Sequence, residues 1–543
     1  MKERLKEYGR KSLPWFSIFA LVFGRYLYYG FQYFYQLDDY FQYHNMADFS
    51  PNLWETVLKN GMLLSRPAAG LSDLCVWSNF FPVMLLAVAV ISALYACTAL
   101  LLKSVFHRHF GTGWLFAVIF ALLPLGMEGI YWVSASSRIV CGLFFAVLGG
   151  WLLQRYFDGG RWYYLLGAIL AQFWGGCYYE QVMVFSVTLF VLLGILNCRS
   201  CKWKSLWSLF APLNMGLYLF LTSVMPGDGF YGARVELMLP ETDYYFDTFL
   251  PDILGQIRSA FLGGGFYTTV KGFWRGLQIL WQDHAILFLL LILGLCVLLW
   301  YVAGGKKKEQ QSVARRQWWA ILVGLLLAIA PVSIFLVLAN PWFSLRGTVC
   351  SFAGLALIAD VVLRWLLRGK TQWIAVAAAG LSFVFCIASV SELHDYKQTY
   401  ENDNRAAQAV LKTVDFEDTT SKIGILGLEK SFLKDQNYFW HEHVHGCTES
   451  NWAFSGLLRY YTGIPTLSNI TPLPAEHIYA GWNYESNRID GFEQIYYYHY
   501  EENTLELLAV EQTGERSFLL YGADGNLFGE VYDEQGIGKL KMA

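Results

Sequence analysis

The sequence predicts a polytopic α-helical membrane protein with an α+β domain at its C-terminal end. Three observations predict it. Of 543 residues, 55% are hydrophobic, 17% aromatic and only 15% charged, where soluble domains carry nearer a quarter. The mean hydropathy of +0.35 is too apolar for a soluble enzyme of this length, and it excludes disordered, collagen-like and disulfide-rich secreted classes. The net charge of −3 is the sum of two unlike parts: residues 1–391 hold 29 Lys and Arg against 19 Asp and Glu, while residues 392–543 hold 11 against 24. The reading is a basic, apolar transmembrane domain over 1–391 and an acidic domain over 392–543.

A bilayer core of about 30 Å takes roughly 20 apolar residues per helix. Eleven runs qualify: 14–35, 80–102, 113–133, 138–154, 162–178, 181–197, 205–225, 285–303, 318–339, 348–366 and 373–391. They are continuously apolar, which suits helices rather than barrel strands, because lipid leaves backbone N–H and C=O groups to satisfy themselves. The first run is long, contains Arg25 and lacks a small-residue cleavage site, so it reads as a span rather than a signal peptide. With the N-terminus inside, the inner segments carry 20 of the 29 basic residues of 1–391, and every inner loop is basic. Eleven spans then place the acidic domain outside a plasma membrane. Most of the ten cysteines fall in spans, and Cys198 and Cys201 read as small interfacial residues, since zinc needs a second pair.

The charges left at outer helix ends are few. The first exterior loop, 36–79, opens on Asp38 and Asp39 within an aromatic stretch from Tyr26 to Tyr43, and continues to Arg66-Pro67. An acidic pair among interfacial aromatic residues is costly without a task or a cationic partner. Asp48, Glu55 and Asp73 read as solvated loop charge. Glu128 precedes Tyr131-Trp132, Arg138 follows a serine-rich turn, Glu180 occupies a tight turn between spans, and Arg346 ends the Pro341 loop. Ionisable groups at such depth are functional candidates with a partner expected; headgroup snorkelling is the alternative for Arg138 and Arg346. Arg25 is expected to pair with a carboxylate inside the bundle, and Asp360 with Arg364 one turn along the same helix. In the long loop 226–284, Phe273, Leu277 and Leu280 have the spacing of an interfacial amphipathic helix.

An outer-face carboxylate can take a proton from an attacking hydroxyl, and arginines at headgroup depth can hold a phosphate bidentately. Lipid-linked sugar chemistry uses these groups at this depth, and G-x-x-x-x-G-K-[ST] is absent. Asp38-Asp39 in the first exterior loop, the downstream Arg66-Pro67, the Tyr131-Trp132 turn and the late loop from Pro341 to Arg346 resemble the GT-C superfamily of integral-membrane glycosyltransferases, near bacterial O-antigen glucosyltransferases and related uncharacterised polytopic membrane proteins. The resemblance covers about 1–395. It implies a polyprenyl-phosphate sugar donor, an exterior cell-envelope glycan acceptor and no nucleic-acid partner. It implies Asp38 or Asp39 as base and Arg346 on the donor phosphate, with Arg66 and Arg138 grouped beside it. The chain lacks a clear second acidic D-x-D motif, for which Glu128 is the stand-in, and a divalent metal is left open. A transporter or lipid flippase, and a non-enzymatic envelope assembly protein, are the alternatives.

In the acidic part, 392–415 reads as a polar helix, 422–428 as a strand, 450–462 as a helix capped by Ser450, and 517–532 as a hairpin turning at Asp524-Gly525. His441, His443 and His445 share a face at strand period. They lack the i,i+4 spacing of a zinc-protease helix and read as surface histidines, with metal or acceptor contact as alternatives.

Overall fold

The computed structural model describes residues 2–45, 66–224, 238, 240, 242–304, 317–339, 341–416, 421–428, 445–464, 467–475, 478 and 487–543, without the side chains of 2–11, 43–45, 223 and 449. The chain divides into two compact units: Met1–Tyr33 with Asn52–Leu393, and Phe34–Pro51 with His394–Ala543. The second unit thus takes up the opening of the first long loop.

The first unit is helical. Its helices are α1 (Lys2–Tyr26), α2 (Pro67–Phe110), α3 (Trp114–Leu122), α4 (Pro124–Tyr131), α5 (Val133–Phe157), α6 (Trp162–Gly176), α7 (Glu180–Cys201), α8 (Phe210–Val224), α9 (Leu250–Arg258), α10 (Gly272–Gln282), α11 (Ile286–Gly304), α12 (Gln317–Ile329), α13 (Phe352–Leu366) and α14 (Thr371–Thr413), whose residues from His394 onward belong to the second unit. Each of the eleven apolar runs contains a helix. Among the described residues, seven helical stretches are long and apolar enough to cross a membrane, eight if a bent pair counts as one span.

One of the seven, Glu180–Thr222, doubles back. Lys202 has φ +46°, and a Cβ placed on Gly194 would lie 2.1 Å from Ser208 Oγ. In a straight helix those residues would stand about 21 Å apart. Helix α7 and helix α8 are therefore separate passes through the unit. Small residues let neighbouring helices approach. A Cβ on Gly142 would meet Gly175 O at 3.1 Å, and one on Gly149 would meet Ala168 O at 3.1 Å. This register makes α5 and α6 antiparallel. Gly324 and Gly354 seat α12 on α13 in the same way, the Gly354 Cβ falling 2.2 Å from Gly324 O.

The run 113–133 is two helices, not one: α3 and α4 are bent by 43° where Leu123 turns extended (ψ 121°) before Pro124. Proline has no N–H to offer the carbonyl four residues back. Tyr95 Oη donates to that carbonyl, Phe120 O, at 2.8 Å. The next two carbonyls go to Arg25, whose guanidinium donates to Leu122 O at 2.6 Å and Ala121 O at 3.4 Å, and also to Tyr131 Oη at 2.6 Å and Ser389 Oγ at 3.1 Å. Arg25 is fully buried, and these partners are carbonyls and hydroxyls rather than the expected carboxylate. It caps the negative end of a broken helix. Asp360 and Arg364 form the expected pair at 2.8 Å and clamp the α2–α3 turn. Asp360 accepts from Gly113 and Phe116 N–H at the start of α3, and Arg364 donates to Gly111 and Phe110 carbonyls at the end of α2.

Other expectations change. The α-helix of the first run ends at Tyr26, a 3-10 turn follows at Leu27–Tyr29, and 31–36 is not helical. The loop 36–79 is helical at Tyr40–Asn45 and again from Pro67. Asp73 is buried in that helix, not solvated. Loop 226–284 is largely helical from Tyr245, and α10 buries Gly272, Gly276, Ile279 and Leu280. Phe273 and Leu277 are only half-buried.

The second unit holds a seven-stranded sheet in the order β2-β1-β3-β4-β5-β6-β7, built from β1 (Ile423–Leu426), β2 (Ile470–Leu473), β3 (Gln494–His499), β4 (Thr504–Gln512), β5 (Phe518–Tyr521), β6 (Leu527–Glu534) and β7 (Ile537–Met542). The strands β2, β1 and β3 are parallel, and the remaining neighbours are antiparallel. Parallel pairing of β1 with β2 needs a crossover, which contains α15 (Asn451–Thr462). The core gathers Leu426, Leu473, Ile495, Leu508, Phe518 and Val531. The β5–β6 hairpin turns through Asp524-Gly525, with Gly525 at φ +78° and Asn526 N–H bonded to Asp524 Oδ1 at 2.9 Å. The helix at 451–462 forms as expected, but Ser450 makes no side-chain cap bond.

Candidate functional site

Helix ends of the first unit bring three arginines to carboxylates, two as side-chain ion pairs and one through a backbone N–H, and include five of the residues singled out in the sequence. Arg66 stands before Pro67, whose missing N–H costs nothing at the first helical position. Its Nε donates to both oxygens of Glu180, at 2.9 and 3.1 Å, and its guanidinium lies 4.5 Å from the Tyr179 ring centre. Glu180 is the first residue of α7, where the helix dipole favours a negative charge. The turn between α6 and α7 is tied to α2 by Ala68 N–H on Cys177 O at 3.1 Å.

The second pair joins Arg138, in the first turns of α5, to Asp73 at 3.4 Å. Both are largely buried, the side chains being 11% and 2% exposed. The third joins Glu128 to the segment Leu345–Ser351. Glu128 is fully buried, and its Oε1 accepts the Arg346 backbone N–H at 3.1 Å. The Arg346 guanidinium stacks over Trp132, 5.2 Å from the ring centre. Gly129 permits this approach: a Cβ there would lie 2.7 Å from Val349 and 3.3 Å from the Arg346 backbone.

The three pairs are neighbours. Tyr179 lies within electrostatic reach of both Arg66 and Arg346, and Arg66 within reach of Arg138. Gln181, next to Glu180, donates to Gly347 O at 3.0 Å and to Pro331 O at 3.3 Å, which locks the start of α7 to the Arg346 segment. Arg66, Arg346 and Glu180 thus act on Tyr179, and Arg138 with Asp73 adjoins Arg66. Arginine presents a planar fork that matches phosphate oxygens, and Arg66 and Arg138 already face carboxylates that a phosphate could replace.

Asp38 and Asp39 belong to the second unit and differ from one another. Asp39 is fully buried; its Oδ2 accepts the Gln36 N–H at 3.0 Å and its own N–H donates to Gln36 O at 2.8 Å. It closes a turn in which Leu37 sits at φ +34°, a conformation that leucine rarely adopts. Asp38 points outward from that turn, half-buried, and accepts Trp452 Nε1–H on Oδ1 at 2.9 Å. Behind the turn, Asp403 accepts the Cys447 N–H at 2.8 Å. Burial and the carboxylates of Asp403, Asp39 and Asp38 hold the Cys447 thiol well above its usual range.

Sequence reasoning missed Tyr179, Trp132, Gln181 and the role of Asp73. For Asp73 a signal exists: it interrupts a stretch from Ala68 to Met84 with no other charge, and an ionisable group there calls for a partner. Among the described residues, no group of three or more His, Cys, Asp or Glu could hold a metal ion. His441 and His443 lie outside the described residues. No family model and no curated protein matches the chain.

Proposed function

We propose that the chain is a GT-C-type membrane glycosyltransferase that moves a sugar from a polyprenyl-phosphate donor to an exterior cell-envelope glycan. The observation that carries this reading is the convergence of Arg66, Arg138 and Arg346 at helix ends of an apolar helical unit. In this reading the donor phosphate displaces carboxylate partners from these arginines. As the sugar C1–O bond breaks, the bonding electron pair leaves on the lipid phosphate, and the guanidinium groups stabilise that charge.

The base is Asp38 rather than Asp39. Asp39 is buried and spends an oxygen on closing its own turn. Asp38 is accessible, and among the described residues its Oδ2 has no partner. An ionised carboxylate of this kind can take the proton of an acceptor hydroxyl. The proposal includes eleven passes, with α3 and α4 forming one broken span, the N-terminus inside and the second unit outside the plasma membrane. The presence of a helix in each of the eleven runs supports the count, and the basic inner loops support the orientation.

The test is the envelope glycan composition of a strain lacking this chain. The expected result is loss of one sugar substituent, restored by the wild-type chain and not by Asp38→Asn or Arg346→Gln at equal expression. Unchanged glycans overturn the reading.

A further inference from the structure

Helix α15 carries three exposed aromatic residues, Trp452, Tyr460 and Tyr461, at 41%, 45% and 37% exposure. The helix is seated on the second unit's 34–45 segment: a Cβ on Gly456 would lie 3.0 Å from Phe41 N, and the Tyr40 and Tyr460 rings are 5.7 Å apart. The Tyr461 ring lies tilted against Tyr460, with centres 5.2 Å apart, and its hydroxyl donates to Asn404. These rings are held by their neighbours, so little side-chain freedom is left to lose on binding.

At the start of the helix, Trp452 Nε1–H is committed to Asp38 Oδ1 at 2.9 Å. That bond fixes the indole plane beside a carboxylate whose second oxygen has no described partner. An ionised carboxylate only accepts hydrogen bonds. An open indole face beside an acceptor-only oxygen is complementary to a pyranose, which offers an apolar C–H face and a rim of hydroxyl donors. Aromatic residues of this amphipathic kind supply most of the affinity in wet, polar interfaces.

We infer that Trp452, Asp38 and Tyr460 form a saccharide-binding surface that receives a hexose-containing oligosaccharide, the ring stacking on Trp452 and a hydroxyl bonding Asp38. This rests on the glycosyltransferase reading, because it names the acceptor side of that reaction. The same aromatic and acidic groups would also suit a cationic peptide, and the test separates the two.

The full chain in lipid nanodiscs is applied to an array of neutral hexose and N-acetylhexosamine oligosaccharides, with an oligolysine peptide as the competing ligand. The wild type is expected to bind an oligosaccharide. Trp452→Ala should weaken that binding by about tenfold, as central aromatic contacts do, and Trp452→Phe, which keeps a stacking ring, by only about threefold. Asp38→Asn should reduce binding without abolishing it. Oligosaccharide binding that is absent, unchanged in Trp452→Ala, or displaced by oligolysine with the peptide bound instead overturns the inference. Saccharide binding without sugar transfer leaves this surface standing and removes the enzymatic reading. Sugar transfer with an unaltered acceptor KM in Trp452→Ala does the reverse.

Discussion

In the first unit, three carboxylates face guanidinium groups: Asp360 meets Arg364 at 2.8 Å, the part-buried Glu180 meets Arg66 at 2.9 Å and Asp73 meets Arg138 at 3.4 Å, while the fully buried Glu128 accepts the Arg346 backbone N–H. In the second unit, buried carboxylates are met by N–H groups: Asp39 by Gln36 and Asp403 by Cys447. Its ion pairs, such as Arg488 with Asp490 and Lys539 with Glu534, are more exposed. The difference teaches how each unit affords a charge. Packed among apolar helices, a carboxylate without a counter-charge is costly. In the second unit, oriented backbone N–H dipoles take part in holding Asp39 and Asp403. Arg25 is the exception, stabilised by the carbonyls of a helix broken at Pro124.

The comparison breaks first, if it breaks, at Asp360. Removing one partner of a buried pair leaves the other uncompensated, at a cost of about 3–5 kcal/mol, whereas replacing both with apolar residues is often near neutral. Asp360→Ala should therefore destabilise the detergent-solubilised chain by that amount, and Asp360→Ala with Arg364→Met by much less, measured by denaturant unfolding. Equal losses in the two variants would show that the pair is a surface-like contact. Gly354→Ala is next. Its Cβ would fall 2.2 Å from Gly324 O, and overpacking of this kind costs about 1–3 kcal/mol. Gly216→Ala in α8, where a Cβ meets nothing within 4 Å, is the control and should be neutral.

The second unit yields smaller effects. Glu506 is held below the ordinary carboxylate range, first by the Ala523 N–H and then by His499 at 2.8 Å. A depressed folded value means that its contribution is complete above the unfolded pKa, about 4.3, and is lost as pH falls through the folded value. Amide exchange in β3 and β4 should quicken over that acid window, slightly, because the pair is partly exposed. Glu506→Gln should remove the pH step. Smaller still is a labelling difference. Cys447 is buried with its thiol held protonated, while Cys75 and Cys198 are exposed. Maleimide at pH 7 should modify the latter two and leave Cys447 unlabelled until the second unit opens, as read by peptide mass spectrometry.

Much of the helical layout is legible from local pattern, because lipid demands continuous apolar runs and each of the eleven contains a helix. Pro124 marks the break in α3–α4 in the sequence, but its consequence depends on Tyr95 and Arg25 reaching it from other helices. The site is legible only by halves. Arg66, Arg138, Arg346 and Glu128 stand out because charges are scarce, yet the Arg66–Glu180 pair spans 114 positions, which no local spacing encodes. Asp73 was hidden by treating 36–79 as a loop, so its burial could not be anticipated. Asp38 and Asp39 are indistinguishable by composition. The turn at Leu37 separates them, turning one inward and the other out.

In the proposed function the arginines hold the donor phosphate and Asp38 takes the acceptor proton. The direct measurement is transfer of radiolabelled sugar from a polyprenyl-phosphate donor to cell-envelope glycan by the purified chain in proteoliposomes. The account predicts transfer by the wild type, loss of kcat by at least about a hundredfold in Asp38→Asn, as for removal of a general base, near-normal kcat in properly folded Asp39→Asn, and a raised donor KM in Arg346→Gln. Wild-type proteoliposomes that move the lipid-linked sugar across the bilayer without transferring it, or full activity in Asp38→Asn, would contradict it.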